Sequence, residues 1–136
     1  ILEAKAMSEE AGDQRSVGIA TSTIGSIYFQ WGKLDTAEVY YKKALEIKKE
    51  LNNSLLITTD IVNLGLIYQR LNKLDSALVY TNRALELAQS NNDVAGIIDI
   101  YGDLATLNMK LGNPPNFILK GMDHIELLTN WDPSTP

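Results

Sequence analysis

The sequence predicts an all-α fold built as an array of antiparallel helical hairpins, and three observations carry that expectation. The chain repeats itself at an offset of forty residues, and Gly or Asn recurs every twenty. Between those stops the apolar side chains follow helical spacing, with no strand-like alternation in competition.

The repeat is plainest where "IGSIYFQWGKLDTAEVYYKKALEI" (24–47) returns as "LGLIYQRLNKLDSALVYTNRALEL" (64–87). Gly25, Ile27, Tyr28, Ala37, Tyr40, Ala44 and Leu45 recur unchanged at Gly65, Ile67, Tyr68, Ala77, Tyr80, Ala84 and Leu85. The same offset carries Ala4 to Ala44 and Leu64 to Leu104. The shorter ruler is Gly12, Gly32, Asn52, Asn72, Asn92 and Gly112, the residue types that tolerate the left-handed conformation at which helices end. At alternate stops Asp13, Asn53 or Asp93 follows, each able to cap the next helix by accepting a bond from an orphan amide.

Taken in order, the elements are helices over 1–11, 14–31, 34–51, 54–71, 74–91, 94–111 and 114–130, followed by a tail over 131–136. A full helix of about 18 residues is on the order of 27 Å long. The expected core stripe of the second helix is Val17, Thr21, Ile24, Tyr28 and Trp31. Its counterparts are Ile57, Ile61, Leu64, Tyr68 and Leu71, then Ile97, Tyr101, Leu104, Asn108 and Leu111. Asn113 and Pro114 suit the N-cap and first turn of the last helix. Two-residue turns force neighbours to run antiparallel, so each forty-residue unit is an αα-hairpin. The chain therefore reads as a single domain with repeats at 14–51 and 54–91 and a degenerate or terminal one at 94–130. Residues 1–11 read as the end of a preceding repeat, so the sequence looks like a piece of a longer chain.

Composition narrows the function. Hydrophobic content of 45% and charged content of 21% belong to a folded, soluble chain. A net charge of −5 argues against nucleic acid, and the basic residues Lys42, Lys43, Lys48 and Lys49 are interleaved with Glu38, Glu46 and Glu50 as on a solvated, salt-bridged helix face. No apolar run is long enough to enter a bilayer as a spanning helix. With no cysteine, thiolate metal sites and disulfides are absent and the redox compartment is unwritten, the cytoplasm being slightly favoured.

The spacing of Gly25, Tyr28, Ala37, Tyr41 and Ala44, repeated at Gly65, Tyr68, Ala77 and Ala84 with Thr81 in place of the second aromatic, resembles the tetratricopeptide repeat. Small residues let two helices approach while the aromatic fills the adjoining groove. The period of forty exceeds the usual 34 and is similar to the long-helix variants of kinesin light chains and bacterial signalling proteins. HEAT and armadillo arrays suit the period but do not require this register. The resemblance implies a right-handed solenoid of hairpins, a superhelix. The third unit departs from the pattern: Asn108 replaces the aromatic, Phe117 and His124 replace the alanines, and Gly121 occupies the Tyr41 slot.

Enzymatic readings have little support. His124 is the single histidine, in a slot that is core elsewhere. Asp99 and Asp103 stand one helical turn apart and, with Asp60, raise a metal or acid–base reading for which no further ligand has motif spacing. The expectation is a non-catalytic chain without cofactor or metal.

In the family the side of each first helix opposite the core stripe lines a concave groove. The resemblance therefore implies a peptide-binding surface made of Ser22, Ser26, Phe29 and Gln30 on the first hairpin, Asn63, Leu66, Gln69 and Arg70 on the second, and Asp99, Asp103 and Lys110 on the third. Asn63 stands at its centre, because a side-chain amide there offers a donor and an acceptor to an extended backbone. Family members that clamp a terminal carboxylate place Lys, Asn and Arg where this chain has Ser22, Ser26, Asp99 and Asp103, so a neutral or basic protein or peptide segment is the expected partner. The alternative is the sensory or dimerisation region of a bacterial regulator, self-associating through exposed repeat ends.

Overall fold

The computed structural model describes residues 2–113, with side-chain surroundings from Gly12 onward. Five helices follow one another: α1 (Leu2–Gln30), α2 (Leu34–Lys49), α3 (Ser54–Arg70), α4 (Leu74–Ser90) and α5 (Val94–Lys110). Each packs against its sequence neighbour, and the described residues contain no strand. This is an all-α solenoid of helical hairpins.

The turns follow the twenty-residue ruler from its second stop onward. Gly32, Asn52, Asn72, Asn92 and Gly112 all have positive φ, between 54° and 78°. Around Gly32 the amide of Lys33 reaches back to the Tyr28 carbonyl at 2.9 Å and that of Gly32 to Phe29 at 3.0 Å. The same paired bonds recur after Asn72 and Asn92, satisfying carbonyls the helix end would orphan. Asn53 and Asp93 cap α3 and α5, accepting from Leu55 N at 3.1 Å and Gly96 N at 3.0 Å.

At its first stop the ruler fails. The expected break at Gly12 and Asp13 does not form: α1 runs unbroken through both. Glycine permits a left-handed stop but does not impose one, and in a helix interior it costs only about 1 kcal/mol against Ala.

Packing explains the repeated letters. Ala37, Ala44, Ala77 and Ala84 are fully buried. A side chain at Gly25 would meet the Tyr41 ring at 3.3 Å, and one at Gly65 would meet Thr81 Oγ1 at 2.9 Å, so both glycines mark close helix contacts. The stripe Ile57, Ile61, Leu64 and Tyr68 is buried, with Leu71 packed at its edge, and Ile97, Leu104 and Asn108 continue it on α5. Asn108 settles its amide on the Leu104 carbonyl at 2.8 Å. On α1 the equivalent stripe is a correction: Val17, Ile24 and Trp31 are 48%, 39% and 67% exposed. The α3 and α5 stripes lie against α2 and α4, whereas no described element occupies the corresponding side of α1. Phe117, Gly121 and His124, with the helix expected over 114–130, lie outside the described residues.

Candidate functional site

The helical period brings Ser22 and Ser26 of α1 onto one side, facing Thr59 and Asn63 of α3. Between them opens a pocket of about 250 Å³ walled also by Ile19, Leu55 and Leu56, with Tyr41, Lys48 and Asp60 contributing to its lining.

Beneath the pocket lies a charged network. Lys48 of α2 is 5% exposed and Asp60 of α3 is fully buried. Lys48 Nζ stands 2.9 Å from Asp60 Oδ2 and donates to Ser22 Oγ at 2.7 Å, while Ser22 donates to Asp60 Oδ1 at 2.7 Å. Three helices are thus joined by one ion pair and the hydroxyl between its partners. Among the described residues Asp60 Oδ2 has no partner beyond the ammonium. Gly18 makes room for this arrangement, because a side chain there would lie 3.0 Å from Lys48 Cγ. One turn along, Ser26 Oγ and Tyr41 Oη share a 2.7 Å hydrogen bond. Burial pushes the Tyr41 phenol upward, with Ser26 pulling the other way and the Asp60 charge adding to the rise.

Of the residues expected to form a binding surface, Ser22, Ser26 and Asn63 come together in this pocket. Phe29 and Arg70 also meet, the guanidinium 4.3 Å from the ring centroid in a cation–π contact that ties the end of α3 to α1. Leu66 and Gln69 are half-buried, and Gln30 is exposed. On α5, Asp99 and Lys110 are exposed and Asp103 is half-buried, and none of them lines the pocket. The Asp103 carboxyl is pushed above its usual value, first by burial and then by the neighbouring Asp99 charge. Among the described residues no three His, Asp or Glu side chains gather as a metal site, and Asp60 engages Lys48 and Ser22.

The network was missed in the sequence, where Lys48 reads as one of several solvated lysines; that reading holds for Lys42, which pairs with Glu38 at 2.9 Å, and fails for Lys48. A signal existed. The slot of Asp60 holds Ala20 and Ile100 in the other units, and that of Lys48 holds the buried Ala88. A charge of each sign in slots that are uncharged in the other units marks a buried pair.

A family model described as tetratricopeptide repeat matches residues 22–51 and 61–91. The chain belongs to the tetratricopeptide repeat family. Such repeats point to a protein–protein interaction module. Among solved structures, the TPR domain of Arabidopsis FLU superposes with a TM-score of 0.74 at 22% identity, over 88% of this chain and 99% of that one. BtubC (BKLC) from P. vanneervenii superposes with a TM-score of 0.70, also at 22% identity, over 88% of this chain and 48% of that one. At that identity the likeness shows a shared fold. No curated protein sequence matches the chain. Among the described residues no helix is long and apolar enough to cross a membrane.

Proposed function

We propose that this tetratricopeptide repeat chain is a non-catalytic module that holds an extended segment of a partner protein, neutral or basic, in the groove formed by α1, α3 and α5. The observation that carries the reading is Asn63. Its amide stands at the wall of the pocket without a hydrogen-bond partner among the described residues, while the polar groups below it are engaged with one another. A half-buried amide left open in this way is matched to a peptide unit, which presents the complementary acceptor and donor. Asp99 and Asp103 on α5 give the far end of the groove a negative character that suits a basic residue of the segment. A peptide-array assay tests it: Asn63→Ala weakens binding roughly three- to tenfold, the worth of one or two uncharged hydrogen bonds. Asp103→Lys selectively weakens peptides with a basic residue. Peptides indifferent to both changes place the site elsewhere.

A second reading, self-association as part of a bacterial regulator, is favoured by the exposed stripe Val17, Ile24 and Trp31 on α1. The same slots on α3 are covered by a helix, so the face has the shape and chemistry to take one. In that case the chain sediments as a dimer and Trp31→Ser with Ile24→Ser returns it to a monomer. A monomer at high concentration removes this reading and leaves the first intact.

A further inference from the structure

The other units of this chain stack without a buried Lys and Asp, holding Ala88 and Ile100 in those slots. We infer that the pocket above Lys48 and Asp60 is a subsite for an uncharged primary carboxamide, the side chain of a Gln or Asn in the docked segment. The inference rests on the groove reading and refines it by naming one side chain that the groove selects.

Three properties of the pocket lead to that chemistry. Its charges are spent on each other: Lys48 is held by Asp60 and Ser22, and both ionic side chains are more than nine-tenths buried. A guest carboxylate would lie near Asp60 and a guest ammonium near Lys48, each leaving water without an available counter-charge, so charged side chains are excluded. Its walls also retain unused polar capacity. Ser26 and Tyr41 share one bond between two hydroxyls, leaving a hydrogen to donate, and Thr59 has no partner among the described residues. An aliphatic guest would strip water from these groups and give nothing back. Finally, Ile19 and Leu55 flank the entrance, both exposed, and can cover the methylene stem of a side chain whose polar tip lies deeper. A carboxamide is neutral, accepts and donates at one end, and carries such a stem. Asn63 above holds the main chain from which that side chain descends.

The test pans a phage-displayed library of random peptides against the whole chain and measures the selected peptides by fluorescence anisotropy. One position is expected to be enriched in Gln or Asn, and its replacement by Glu, Lys or Leu weakens binding about tenfold. Thr59→Val, on the open side of α3, reduces the carboxamide preference without disturbing the core. Ser26→Ala combined with Tyr41→Phe and Thr59→Val removes the hydroxyls that a carboxamide would bond and reverses the order, so that the Leu peptide binds best. Enrichment of a charged or aliphatic residue at that position overturns the inference, as does a carboxamide preference that survives both variants. Peptides that bind but ignore Asn63→Ala overturn the groove reading itself, a different result from the loss of side-chain preference.

Discussion

At the scale of single residues the chain is instructive where its copies disagree. Ala20, Asp60 and Ile100 share a slot, as do Lys48 and Ala88, and only the middle of the stack carries charge there. Buried ion pairs contribute little net stability, because desolvating both partners offsets their attraction, but an orphaned member is costly. Lys48→Met should therefore destabilise the chain by about 3–5 kcal/mol, since it leaves Asp60 buried without its ammonium. Adding Asp60→Leu should restore most of that loss, and urea unfolding of the two single variants and the double one measures the coupling. Equal and additive losses would show that the two side chains act independently.

At the scale of elements, helix ends separate what a residue type allows from what packing enforces. Asn52, Asn72 and Asn92 adopt the left-handed conformation because the next helix must turn back onto its predecessor. Gly12, with the same ability, lies within α1, and a side chain there would meet nothing within 4 Å. Replacing glycine in an open helix interior gains about 0.5–1 kcal/mol, whereas replacing a left-handed residue by Ala costs roughly 1–2 kcal/mol. Gly12→Ala is thus expected to raise the melting temperature and Asn72→Ala to lower it. Opposite signs in a thermal scan support the continuous α1; a fall for both would restore the broken helix that the spacing suggests.

On the scale of the whole molecule, stability resides in contacts between successive hairpins as much as within them. Besides Lys48 and Asp60, a second charged contact joins α2 to α3. Tyr68 of α3 donates to Glu38 of α2 at 2.6 Å, and Lys42 both pairs with Glu38 and sits 5.6 Å from the Tyr68 ring centroid. Burial works to raise the Glu38 pKa, but the hydrogen bonds from Tyr68 and Lys42 together with the charges of Lys42 and Lys73 outweigh it and hold the carboxyl below its usual 4.5. A pKa lowered by folding means a stabilisation that is whole above pH 4.5 and disappears as the pH falls through the lower folded-state value. Tyr68→Phe should therefore flatten the acid limb of stability against pH while leaving far-UV dichroism unchanged. An unaltered acid limb would place the acid sensitivity elsewhere.

How much was legible follows the same order. The forty-residue identity, the Gly and Asn ruler and the Gly25, Tyr28, Ala37, Ala44 spacing determined helices, hairpins and family, because local periodicity and small-residue packing are written in adjacent letters. The helical period put Ser22, Ser26 and Asn63 on the side opposite the core stripe, and the tetratricopeptide resemblance made that side the proposed groove. Tertiary structure decided the rest. It placed Lys48 of α2 against Asp60 of α3 across Ser22 of α1, joined Phe29 to Arg70, and left the Val17, Ile24 and Trp31 stripe uncovered. Whether a charge is solvated or buried, and whether an apolar stripe is core or surface, depends on which helix lies opposite, and that neighbour is set by the stacking of hairpins rather than by the helix's own residues.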